Sequence, residues 1–86
     1  MYKITIKVLG EEFKSSGETL LEALEGFKIE WQEIKGGGEL TVVNGKRKCE
    51  IICSMIFLRR ILHNKIIKIV QAKRLELLLD RESLLK

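Results

Sequence analysis

Cys49, Cys53 and His63 are the only thiols and the only imidazole in the 86-residue chain, so thiolate, metal or imidazole chemistry would have to involve them. A metal centre wants three or four converging Cys, His or carboxylate ligands. Cys-x3-Cys on a strand does not converge: the two thiols share a face but sit about 13 Å apart. That exceeds the roughly 7 Å limit for a disulfide. Both read as buried thiols acting as small apolar groups. A Cys–His nucleophile would need His63 beside a thiol, yet His63 follows Arg59 and Arg60 at the end of an expected helix, where a solvated polar residue is the simpler reading. Glu11 with Glu12 and Glu30 with Glu33 could supply carboxylate pairs for acid–base work. Charge on exposed turns and helix faces explains them more simply. The chain therefore reads as non-enzymatic, with no cofactor, metal or small-molecule substrate.

Gly36-Gly37-Gly38 invites comparison with a phosphate-cradling loop. Such loops place glycines at defined spacing ahead of a helix, with Lys-Ser/Thr in the Walker case. Here Glu39-Leu40-Thr41-Val42 follows, strand-like and opening on an acid, so the glycines read as a turn or hinge.

Charge distribution is the stronger lead. Residues 1–43 hold five Lys against eight Glu, net −3, whereas residues 44–86 hold eleven basic against four acidic side chains, net +7. Between Lys46 and Arg74, nine Lys and Arg face the single acid Glu50. Such asymmetry points to an acidic partner, nucleic acid first and an acidic protein surface second. The candidate contacts are Lys46, Arg47 and Lys48 at an expected hairpin tip, and Arg59, Arg60, Lys65 and Lys68 on the helices beyond. Neutralising about four to six phosphates would give micromolar, salt-sensitive binding without base specificity. Two helices joined by a tight turn have the outline of a helix-turn-helix, but Ile66, Ile67, Ile69 and Val70 are too apolar to read base edges. Tyr2, Phe13, Phe27, Trp31 and Phe57 read mostly as core, which leaves few stacking platforms.

The competing reading is an assembly module. The last third of the chain is richer in Ile and Leu than one core-facing stripe needs, and a surplus apolar face marks a partner. Ile66, Val70, Leu77 and Leu78 are the candidates for homo-oligomeric, two-fold contact. Interleaved Glu76, Asp80 and Glu82 argue against a membrane-surface helix. No apolar run approaches the roughly 20 residues of a membrane span. The first residues alternate polar and apolar without a signal-peptide core, so a cytoplasmic protein is expected.

The elements that must position these residues follow from periodicity. Tyr2, Ile4, Ile6 and Val8 alternate with Lys3, Thr5 and Lys7, which predicts a half-buried strand. A turn at Gly10-Glu11 and a return strand over 12–15 complete a hairpin. Thr19-Leu20-Leu21-Glu22 has capping-box spacing and opens a helix of two to three turns, weakened near its end by Gly26. Ile29 and Trp31 alternate with Glu30 and Gln32, which favours an extended segment over 29–35 that Glu33-Ile34 interrupts. Asn44-Gly45 predicts a type I′ hairpin pairing Val43 with Lys46 and Leu40 with Cys49. Ser54 can cap a helix from Met55, Asn64 can break it by adopting a left-handed conformation, and a second helix runs to about Asp80. The tail from about 82 should fray. The expected whole is one small α+β domain over 1–86, in the order β-β-α-(β)-β-β-α-α, with an antiparallel sheet of three to five strands and helices on one face.

Overall fold

The computed structural model describes residues 1–84, with side chains through Arg81. Its order is β1 (Tyr2–Val8), β2 (Glu11–Gly17), α1 (Leu20–Glu25), a 3-10 turn (Trp31–Glu33), β3 (Gly38–Asn44), β4 (Arg47–Cys53), α2 (Met55–His63) and α3 (Lys65–Leu84). The strands form one antiparallel sheet ordered β2-β1-β3-β4, the α+β arrangement expected. Alternation decides which face is covered. Ile4, Ile6, Val8, Leu40, Val42, Cys49 and Cys53 are buried beneath the helices, against Leu24, Leu58, Ile61, Leu75 and Leu79. Lys3, Lys7, Glu39, Lys48, Glu50 and Ile52, at the alternate positions, remain exposed. The sheet is thus covered on one side and open on the other.

Local signals set most boundaries. The Thr19 hydroxyl accepts from the Glu22 amide, while the Glu22 carboxylate accepts from the amide of Glu18, one residue before the cap. That satisfies two orphan donors, but α1 has only six residues, shorter than the two to three turns expected. Ser54 Oγ accepts from Phe57 N–H and starts α2 as anticipated. Asn64 separates the two long helices for a different reason from the one expected. Its backbone is extended (φ −129°, ψ 115°), and its Oδ1 accepts from Ile67 N–H, so it caps the start of α3 rather than ending α2 in a left-handed turn. Helical backbone continues past Glu82, where fraying was expected, to Leu84; residues 85–86 lie outside the described residues.

Three expectations need correction. The segment over 29–35 holds a 3-10 turn at Trp31–Glu33, in which Glu33 N–H donates to the Glu30 carbonyl and Ile34 N–H to the Trp31 carbonyl, while Glu30 N–H donates to the Glu33 carboxylate. Ile29 and Ile34 are its buried anchors, and the residues between them loop outward into solvent. The first hairpin turns at Leu9-Gly10, with Val8 opposite Glu11, and both turn residues have positive φ (49° and 86°), the type I′ pattern. The second hairpin closes on Asn44 opposite Arg47, leaving Gly45-Lys46 as the turn and pairing Val43 with Lys48 and Leu40 with Ile51. Gly45 alone has positive φ (64°), as a type II′ turn requires at its first central position. This register differs from the expected one by two residues of β4, so every side chain keeps its face. At the other end of β3, a Cβ on Gly38 would collide with the Lys7 carbonyl, so only glycine lets β3 approach β1 there.

Candidate functional site

The 3-10 turn and α2 build the most structured cluster of functional side chains. α2 buries Leu58, Ile61 and Leu62, which turns Ile56, Arg59, Arg60 and His63 outward. Arg59 lies with its guanidinium carbon 5.6 Å from the centre of the Trp31 ring, a cation–π contact. His63 packs on the same ring at 5.7 Å between centroids, tilted by 54°. Arg59 Nε donates to the Ile34 carbonyl at 3.0 Å, which fixes the plane of the guanidinium. Its terminal nitrogens have no hydrogen-bond partner among the described residues. Arginine carries five N–H donors in a rigid fork, so the arrangement leaves the carboxylate- or phosphate-gripping end free on a stem already held in place. Trp31 keeps 42% of its surface in solvent, contrary to its expected place in the core. Its exposure was missed because Ile29 and Trp31 share strand-like parity. The five-residue spacing of the apolar anchors Ile29 and Ile34 is the signal that could have revealed it.

The seven candidate cations do not form one surface. Arg47 Nη1 contacts Asp80 Oδ1 at 2.6 Å, and Lys48 Nζ lies 3.1 Å from Glu50 Oε1. The hairpin tip is therefore docked at the far end of α3, with Lys46 exposed in its turn. Fifteen residues separate Lys65 from Asp80, so about 22 Å of helix divides the tip from the α2–α3 junction. Arg60, Lys65 and Lys68 lie close together along the chain at that junction; Arg60 and Lys65 are exposed and Lys68 is half-buried.

Apolar candidates separate as well. Ile66, Val70 and Leu77 are exposed on one stripe of α3, with Lys73 between them, while Leu78 is half-buried against the core. The core-facing side of the same helix carries Leu75 and Leu79, so α3 is apolar on two faces. Between α1 and α3 a shallow apolar groove, lined by Leu20, Leu21, Ile69, Ala72 and Leu77, continues this stripe.

The thiols are placed as the strand spacing implies. Cys49 and Cys53 are both buried on β4 and are not joined to each other. Burial pushes the Cys53 thiol up to about 11, only partly offset by Arg74, so at neutral pH it is protonated and a poor nucleophile. The Glu33 carboxylate accepts from the Glu30 amide at the 3-10 turn, and Glu12 lies 3.5 Å from Lys7. Among the described residues no group of three His, Cys, Asp or Glu could hold a metal ion, and no helix is long and apolar enough to cross a membrane. No protein-family model, no curated protein and no solved structure matches the chain.

Proposed function

We propose that the domain is a small, non-enzymatic binding module that contacts nucleic acid through the Trp31, Arg59, Arg60 and His63 surface and the adjoining Lys65 and Lys68. The observation that carries this reading is the Arg59 guanidinium, braced by Ile34 and Trp31 with its terminal donors free. Bases of single strands stack on aromatic rings and on arginine planes, while cations beside them take the phosphates. A purely structural role, in which Arg59 only ties the 3-10 turn to α2, accounts for the Nε bond but not for the exposure of Trp31 and Arg60. Trp31 is the sole tryptophan, so its fluorescence reports the site directly. Titration with a labelled oligothymidine at about 50 mM salt should quench it. Each stacked base is worth about 1–3 kcal/mol, so Trp31→Ala should weaken binding by about 5- to 150-fold. Unchanged fluorescence and anisotropy across the titration would refute the reading.

A second reading rests on a separate observation, the outward stripe of Ile66 (74% exposed), Val70 and Leu77 (64%). A second copy could cover it by two-fold helix pairing. Light scattering at high concentration decides: a mass of one chain throughout would end that proposal.

A further inference from the structure

We infer that the open face of the sheet carries a second phosphate-binding surface, centred on Lys3 and Lys14, which takes the backbone of a single strand without reading its bases. Register assembles it from both halves of the sequence. Lys3 stands opposite Ser16 on β2 and Val43 on β3, Val43 stands opposite Lys48 on β4, and Lys14 stands opposite Thr5. Lys3, Lys14 and Lys48 therefore share one end of one face. Lys3 and Lys14 are diagonal neighbours, about 7–8 Å apart at their backbones. Lys3 and Lys48 are two strand spacings apart, about 10 Å. Flexible lysine stems span such gaps easily.

The acids of this face lie elsewhere or are already engaged. Glu12 lies beside Lys7 and Glu50 beside Lys48, while Glu39 is opposite Lys7 towards the other end of the strands. Lys3 and Lys14 make no ion pair among the described residues. A shallow concavity lies between them, lined also by Thr5, Ser16 and Val43. Neither hydroxyl has a side-chain hydrogen bond among the described residues, so both can donate to a phosphate oxygen. No aromatic side chain points to this face: Tyr2 and Phe13 pack against the core. Ligand contact here is thus electrostatic, whereas the Trp31 surface offers stacking. Because the helices cover the opposite side of the sheet, the two surfaces face away from each other, and one domain can hold two strands.

The inference rests on the nucleic-acid reading, and two readouts separate their failures. Anisotropy of a labelled oligothymidine follows total binding, and Trp31 fluorescence follows the helical surface alone. For single strands the slope of log K against log salt is about −0.7 per phosphate neutralised. Lys3→Gln/Lys14→Gln should therefore make the anisotropy slope shallower by about 1.4, leave the Trp31 quenching midpoint unchanged, and reduce two oligonucleotides per chain to one. Lys3→Met/Lys14→Met removes the same two charges with a different side chain and should give a similar change in slope, which guards against a folding defect in either variant. An unaltered slope and stoichiometry in both variants would overturn the sheet surface and leave the Trp31 surface standing. Lost quenching after Arg60→Glu with retained anisotropy would support the sheet surface. Absence of any binding at about 50 mM salt would dispose of both.

Discussion

Leu9→Asn should stabilise the domain by about 1 kcal/mol. Leu9 and Gly10 fill both central positions of the β1–β2 turn, with φ of 49° and 86°. A left-handed backbone costs a residue with a Cβ roughly 1–2 kcal/mol, and Asn escapes much of this through local hydrogen bonding. Asn-Gly is also the favoured pair for this turn type. The opposing term is packing: Leu9 lies against Gly36, where a Cβ would meet its Cδ1 at 3.5 Å. Leu9 is 74% exposed, so about a quarter of it is covered. Full burial of a leucine is worth roughly 1.5–3 kcal/mol, so that contact contributes about 0.4–0.8 kcal/mol. The difference leaves a net gain of about 0.2–1.6 kcal/mol, and a gain of 1 kcal/mol raises Tm by about 4–8 °C for a domain of this size. Thermal melts followed by circular dichroism measure it, with Leu9→Ala as the control. Alanine keeps the Cβ and loses the contact, so its Tm should fall slightly. A Leu9→Asn Tm at or below the parent, or equal gains from both substitutions, would refute stored backbone strain at this turn.

Two further stability predictions follow from buried groups. Gln71 Oε1 is buried without a hydrogen-bond partner among the described residues, and such an orphan costs about 1–3 kcal/mol. Gln71→Met keeps the length and removes the carboxamide, so its denaturant midpoint should rise; a fall would mean that the oxygen is solvated. The Cys53 thiol is raised from 9.0 to about 11 by burial in the folded state. A group whose folded value lies above its unfolded value contributes stability in full below the unfolded value and loses it as pH rises through the folded one. The parent should therefore lose more stability between about pH 9 and 11 than Cys53→Val, measured as urea midpoints. Parallel curves for the two proteins would show that Cys53 does not couple ionisation to unfolding.

Elements with short-range causes were legible in the sequence. The β1 alternation, the Thr19 and Ser54 caps and the pairing of β3 with β4 each depend on residues a few positions apart. Turn register was less legible, because Asn44-Gly45 and Gly45-Lys46 both offer two-residue loops and differ only in which residue takes positive φ. Asn64 was expected at its boundary for the wrong reason: its side chain serves the following helix, not the preceding one. Trp31 was misplaced because strand parity and a 3-10 turn between two buried anchors look alike over five residues. The contact of Arg47 with Asp80 spans 33 residues, and no local pattern signals it. Leu78 and Leu77 are adjacent in sequence, yet one faces the core and the other solvent. Only the packing of α3 against β4 and α1 distinguishes them.

The separation of charge along the chain does not survive as a separation in space, and the sheet explains why. β2, β1 and β3 all come from the acidic first half, and β4 of the basic second half joins the same sheet beside β3. Lys3 and Lys14 come from the half with net negative charge, yet the register places them on the same end of the open face as Lys48. Conversely Arg47, from the start of the most basic stretch, docks against Asp80. An antiparallel sheet fixes neighbours by the sum of their positions, so a run of like charges is spread along a strand edge, while charges far apart in sequence become adjacent. The cations that remain free to meet a polyanion are therefore those whose cross-strand or helix neighbours are neutral. By that criterion Lys3 and Lys14 qualify as fully as Arg60 and Lys65, and Arg47 does not.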